Sequence, residues 1–499
     1  MGLFDSLLGS KSKQPPNSEQ VLQQAFELFQ QGNPVEAVTM MSQCAEQVGQ
    51  VCGENSVQYA RSLSHLATLY CASGDLSKGA ELCLAAADRC PTDEEGTKEK
   101  LTQMMNAGQM YSGCGQSKEA LPILQKALDE RITFYGKGHA GVAYGEQVLA
   151  EAMLAEKQYA EGLKHATSAV QTFYSERHHE FPGAYAVRAG LASAKGVDSA
   201  KIWKTLADIP EDATAEIVLH ADRVAKLMEP KLGLSYLEQL AKWAESYLPE
   251  NTKLLGNTLV AWSNLAQASS DPGGMGRCSD MMLNFIDKLP KPADQVNMLQ
   301  GIAMNYSSCG RSSDEVRSIY QRATTTAKND PLLEAAVVTN WAIFEAEQDD
   351  KSAAPALYDR AIELSKQMNS TEKLGRSMIA KGVFLHHQEQ SEEALKLLKQ
   401  GTDILPATNS DAACGMMHLV ALESGLPCCC HGGDEMTKES LAILAQKFFE
   451  QSGLGDVLDK VEFGEDGLNV SVSREPSQDE LQRLQVAHSL FLSQLGGAS

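Results

Sequence analysis

An all-α fold, a superhelical solenoid of paired helices with a small C-terminal α+β cap, follows from three observations on this 499-residue sequence. First, two stretches lying 195 residues apart are near copies: NAGQMYSGCGQSKEAL at 106–121 and GIAMNYSSCGRSSDEV at 301–316. Tyr111 matches Tyr306, Cys114 matches Cys309 and Gly115 matches Gly310. Second, hydrophobic residues make up 43% of the chain but aromatics only 6%. That balance suits many small helix contacts filled by Ala and Leu better than one large aromatic core. Third, in SLSHLATLYCASGDLSKGAELCLAAADRCP, residues 62–91, apolar or small residues recur every three or four positions on both sides of a Ser-Gly-Asp turn. This is the period of two short helices. Neither helix buries its stripe alone, so pairs must stack on pairs.

Counting tests the repeat. From a small anchor residue, Ala67, Tyr70 lies three on, Gly79 twelve on, Ala86 nineteen on and Pro91 twenty-four on. Anchors at Ala25, Gly108 and Ala150 fill the same slots, with steps of 42, 41 and 42. In the second half the anchors are Ala266, Ala303, Ala342 and Gly382, with steps of 37, 39 and 40. The opening copies are therefore five repeats apart.

This pattern resembles the tetratricopeptide repeat, with its small residue, Tyr, turn Gly, two Ala positions and closing Pro. The longer spacing is similar to the kinesin-light-chain variety, in which a Gly…His…Val-Ala linker joins pairs. YGKGHAGVAYGE at 135–146 looks like that linker, with Ala140 where the family usually has Pro, and VCGENSVQYARSL at 51–63 is a weaker copy. The resemblance covers 18–175 and 255–408; between them, 176–254 keeps the helical period but loses the signature, as about two degenerate pairs would.

The resemblance also implies a site. In that family the first helix of each pair lines a concave groove, and an Asn two residues before the anchor often bonds a bound peptide's backbone. Asn106, Asn264 and Asn340 stand in that slot, and His65 replaces it in the second repeat. Gln109 and Gln267, next to their anchors, face the same way, as do Gln147 and Gln300. Amides offer both a donor and an acceptor, which suits an extended chain. The alternative is that these Asn residues tie adjacent repeats together. Some relatives grip a C-terminal carboxylate with a Lys/Arg clamp; here Arg61 and Arg376 stand alone, several repeats apart, and Glu151 and Glu347 add acid.

Outside the array, residues 1–17 read as a flexible segment, and MGLFDS formally fits an N-myristoylation motif. A short amphipathic start packing on the first repeat is the competing reading. Residues 409–499 read as the cap. Two helices precede KVEFGEDGLNVSVSREP, whose alternation around Asp466-Gly467 signals a hairpin. A last helix follows, opened by a Ser477…Glu480 capping box.

Chemical motifs are sparse. LPCCCHGG at 426–433 brings Cys428, Cys429 and Cys430 beside a His, and Cys414 and His418 could complete a metal site with them. Adjacent cysteines diverge, however, and no C-x-x-C pair exists. A semi-buried loop is the simpler reading. His178-His179 and His386-His387 lack a third ligand at a suitable spacing and read as solvated or capping residues. DPGGMGRC at 271–278 has glycines but no preceding strand, and reads as a turn inside a repeat. Neither a P-loop nor G-x-S-x-G is present.

The net charge of −22 disfavours nucleic acid and anionic membranes as partners. The 12 cysteines form no disulfide-like framework, and a cytoplasmic setting is expected. No apolar run reaches the roughly 18 residues of a membrane span. The expectation is a non-catalytic, cofactor-free scaffold or adaptor whose partner is a protein or peptide in the groove, with homo-oligomers allowed. The rival readings are a structural self-assembly unit, and a thiol- or metal-sensing C-terminal module positioned by the repeats.

Overall fold

The computed structural model describes residues 15–30, 33–197, 199–203, 211–248, 250–406, 409–425, 438–463, 468–474 and 476–496. The MGLFDS motif, Cys428–Cys430 and the Asp466-Gly467 turn lie outside them. The chain divides into two compact units, Met1–Cys278 and Ser279–Ser499.

In the first unit the first helices of successive pairs are α1 (Ser18–Gln30), α3 (Val57–Ala72), α5 (Glu94–Gly113), α7 (Ala140–Ala155), α9 (Phe181–Ala194), α11 (Glu211–Leu227) and α13 (Thr252–Ala268). Their second helices are α2 (Pro34–Cys52), α4 (Leu76–Asp88), α6 (Ser117–Tyr135), α8 (Tyr159–Glu176), the short α10 (Ser199–Trp203), α12 (Pro230–Tyr247) and α14 (Pro272–Phe285), in which the division between units falls. The second unit continues with first helices α15 (Pro292–Ser308), α17 (Pro331–Ala346), α19 (Thr371–His387) and α21 (Ser410–Ser424). Its second helices are α16 (Ser313–Ala327), α18 (Ala354–Gln367), α20 (Ser391–Ile404) and α22 (Lys438–Phe449).

Helices start where a short polar side chain can accept the free backbone N–H groups of the first turn. Ser56, Asp75, Asp93, Asn251, Ser312, Asp330, Ser370 and Asn409 all do so. Packing follows the counted slots. The anchors Ala25, Ala67, Ala150, Ala303 and Ala342 are completely buried, as are Ala37, Ala86, Ala120, Ala127, Ala169, Ala354, Ala361 and Ala394. At Gly108 a methyl group would come within 2.3 Å of Leu124, so the two helices meet where only hydrogen fits.

The turn inside most pairs has one geometry, though not in α11/α12 or α17/α18. Seven residues after the anchor the backbone is left-handed, at Gly74, Gly115, Lys157, Gly310 and Glu389, with φ between 60° and 90°. The next N–H then bonds back to the carbonyl three after the anchor: Asp75 to Tyr70 (2.9 Å), Gln116 to Tyr111 (2.8 Å), Gln158 to Met153 (2.8 Å), Arg311 to Tyr306 (2.9 Å) and Gln390 to Leu385 (3.0 Å). This closure satisfies carbonyls that the helix end leaves without partners.

The same bond recurs in two further places. Val197 bonds to Ala192 (3.0 Å) behind left-handed Gly196, so the pair anchored at buried Ala189 keeps the turn where the signature is lost, although its second helix is short. Asp271 bonds to Ala266 (3.0 Å) behind left-handed Ser270, which sets the anchor at Ser263, one turn before Ala266. Ser263 and Ala266 are both small and buried on one helix face, so spacing alone could not choose between them. With Ser263 as anchor the steps to 303, 342 and 382 become 40, 39 and 40. The glycines of DPGGMGRC also fall within the first five residues of α14 rather than in the connecting turn.

At the C-terminus α21 packs on α19 and α20 as a further first helix, with buried His418 in the anchor slot and left-handed Gly425 seven residues on. Strands β1 (Leu458–Phe463) and β2 (Leu468–Val472) pair antiparallel, and α23 (Gln478–Gly496) follows. Phe448, Phe449, Val461, Leu468 and Phe491 build one core with α21. The Ser477–Glu480 capping box is present: Ser477 N–H donates to Glu480 (2.8 Å), and Glu480 N–H donates to Ser477 Oγ (3.4 Å). Among the described residues no helix is long and apolar enough to cross a membrane.

Candidate functional site

Within each unit the first helices of successive pairs touch one another directly, from α1 with α3 through α11 with α13, and from α15 with α17 through α19 with α21. This puts the first helices on the inside of each stack. Their side chains form a row of polar ties between neighbours.

In the first unit Arg61 of α3 donates to Glu99 (2.9 Å) and Glu95 (3.1 Å) of α5. The Tyr144 hydroxyl of α7 donates to Gln109 of α5 at 3.2 Å. Arg223 of α11 forks onto Glu151 of α7 at 2.5 and 2.8 Å, and Gln147 also donates to Glu151 at 3.3 Å. The hydrogen bond that Arg223 donates to Glu151 raises its pKa, while burial lowers that of nearby His220. In the second unit Asn340 of α17 donates to Gln300 of α15 at 2.5 Å. Its oxygen accepts from Arg376 of α19 at 3.2 Å, and Arg376 Nε lies 3.8 Å from Asp411 of α21. Four successive first helices are thus linked by one polar chain.

The residues singled out in the sequence fall into three situations. Asn340 and Gln109 tie neighbouring pairs. His65 is half-buried, its Nδ1 lacks a partner, and burial lowers its pKa. Asn106 is half-buried, whereas Asn264 and Gln267 are exposed on α13. The corrected anchor moves Asn264 from two residues before its anchor to the residue after it, the slot Gln109 fills in α5.

Two features were missed. Arg61 and Arg376, read as isolated, each find carboxylates on the next first helix. And between α17, α19 and α21 lies a cavity of 480 Å³. Ile343, Ile379, Val383 and Phe384 give it apolar lining, and Glu347, Lys351, Arg376 and Asp411 line it as well. Polar residues recurring 36 to 40 positions apart, such as Gln300, Asn340 and Arg376, were the signal that could have found it.

The histidines also differ from expectation. His386 Nδ1 lies 3.0 Å from Nδ1 of fully buried His418, and the His387 ring meets His418 edge-on. They form a partly buried cluster because the anchor slot of α21 holds an imidazole where other pairs have Ala or Gly. Among the described residues no three His, Cys, Asp or Glu side chains converge as metal ligands.

Repeated helix pairs, buried small anchors and a left-handed turn define an α-solenoid fold. Residues 101–141 match the family model of the tetratricopeptide repeat. Among solved structures, a point variant of a Podosopora anserina kinesin-light-chain candidate with nearly identical TPR-like repeats is 19% identical. That match covers 40% of this chain and 93% of the other, with a TM-score of 0.33. The apo form of RapI is 11% identical over 70% of this chain and 98% of its own, at a TM-score of 0.32. BtubC from P. vanneervenii is 14% identical over 54% and 94%, at 0.27. No curated protein matches the chain.

Proposed function

We propose that this chain is a non-catalytic scaffold or adaptor that binds an extended segment of a partner protein along the face formed by its first helices. The observation that supports this most is the 480 Å³ cavity between α17, α19 and α21, on which Ile343 and Val383 are partly exposed. Concave sites that combine an apolar wall with a few polar groups are where ligands usually bind. In the first unit Asn106 and Asn264, supported by His65, Gln109 and Gln267, contribute hydrogen bonds to the segment's backbone; Asn340 holds Arg376 in position. Thiols at small-residue slots, such as buried Cys44, Cys83 and Cys278, fit a reducing compartment, and we place the protein in the cytoplasm.

The test is a paired pull-down read by mass spectrometry. The baits are the wild type and a variant carrying Asn106→Ala, Asn264→Ala and Ala380→Trp, both shown to be folded by circular dichroism. A protein retained by the first and lost by the second is then purified, and its affinity measured. A change of about tenfold or more supports the reading. Equal retention by both baits overturns it.

A further inference from the structure

Resting on that reading, we propose that the cavity of the second unit takes an uncharged apolar side chain, aliphatic or aromatic, and discriminates against charged ones. The volume of 480 Å³ lies within the roughly 300–1,000 Å³ of ligand pockets, with room for one large side chain and adjoining backbone. Ile343 of α17 with Ile379, Val383 and Phe384 of α19 supply carbon surface.

The charged lining decides the chemistry. Lys351 and Arg376 bring two positive charges, and Glu347 and Asp411 two negative ones, with His387 beside them. The Lys, Arg, Asp and Glu of the lining thus sum to zero formal charge, in contrast to the −22 of the whole chain. Arg376 is moreover engaged, with Nη2 on Asn340 at 3.2 Å and Nε 3.8 Å from Asp411. A ligand carboxylate at Arg376 must compete with Asp411, and a ligand cation at Glu347 or Asp411 meets Lys351 and Arg376. Either charge gives up hydration against a carbon wall without a net charge in the lining to offset the loss. An uncharged side chain loses little hydration and buries apolar surface. Charge balance thus selects for the apolar anchor and makes its binding insensitive to salt, whereas a basic segment drawn by the overall charge would dissociate as salt rises.

The experiment uses the full chain with labelled Ile, Leu and Val methyl groups, titrated with the N-acetyl amides of phenylalanine, leucine, glutamate and lysine. The expected result is that the phenylalanine and leucine amides shift the Ile343, Ile379 and Val383 methyls, about tenfold more tightly than the charged amides. Those shifts persist equally at low and high salt, and Ala380→Phe, which fills the cavity from a partly exposed position, abolishes them. The proposal is overturned if the charged amides bind as well, if high salt releases the apolar ones, if none binds, or if Ala380→Phe changes nothing. It is also overturned if these methyls shift with protein concentration alone, because a second copy is then the occupant. The two readings fail separately: probe binding without any retained protein partner sinks the scaffold, and a partner indifferent to Ala380→Phe sinks the cavity.

Discussion

Gly108 and Gly115 are both glycine for different reasons, and substitution separates them. A methyl at Gly108 collides with Leu124, which is completely buried and has nowhere to turn. Gly108→Ala should cost about 1–3 kcal/mol by overpacking, and Leu124→Ala in the same chain should show favourable coupling, read from urea midpoints. At Gly115 nothing lies within 4 Å, but φ is 79°, so Gly115→Ala should cost roughly 1–2 kcal/mol of backbone strain that no neighbouring substitution relieves. Asn340→Leu leaves Gln300 and Arg376 without their shared partner and should cost about 1–3 kcal/mol. Glu480 gives a pH signature. Hydrogen bonds from Arg474 and Ser477 hold its pKa down to about 2. A depressed carboxylate contributes stability that is fully present above its ordinary value near ~4.3 and is lost as pH falls through the folded value. The stability of α23 should therefore decline between about pH 4.5 and about pH 2, and Glu480→Gln should flatten that decline in an acid series of urea melts.

At the scale of elements, the left-handed turn is the unit that recurs inside most pairs. Lys157 and Glu389 hold left-handed backbone that Gly adopts without strain. Replacing either with Gly should stabilise its pair by up to about 1 kcal/mol, with the gain limited by the greater freedom of Gly in the unfolded chain. The same change at Gln116, one residue past the left-handed position, should destabilise; thermal midpoints distinguish the two. This turn also explains what the sequence disclosed. The anchors at 25, 67, 108 and 150 were legible because Ala or Gly must stand where helices touch. The pair around Ala189 was not, since its Gly196 turn survives without the Tyr and Pro that make a recognisable signature. The anchor at Ser263 was read as Ala266 because two small residues one turn apart satisfy the same spacing.

Across the whole molecule, stability is a sum over neighbouring pairs within each unit rather than the property of one core. Trp203, Trp243 and Trp262 report on the first unit and Trp341 on the second. Gly382→Val, which presses on Leu398, should lower the unfolding midpoint seen by Trp341. A reporter variant keeping only the first-unit tryptophans should show a transition unchanged by the same substitution. A single shared midpoint that moves for both reporters would contradict this independence. The candidate site was less legible than the fold for a related reason: its partners are distant in sequence. Arg376 looked solitary among its neighbours, yet its two contacts lie 36 residues before it and 35 after it, at Asn340 and Asp411. Only the repeat length brings such residues together, so an error of one turn in the register, as at Ala266, hides them.

The bond that closes each left-handed turn joins two backbone groups and asks nothing of the side chains beyond tolerance of that one conformation. Gly74, Lys157, Ser270 and Glu389 satisfy it equally. Drift at these positions leaves the hinge intact, since the bond that holds it is made by the backbone. The polar row is less forgiving, because Gln300, Asn340, Arg376 and Asp411 each need a particular neighbour. The turns can change one residue at a time; the polar row has to be inherited as a block.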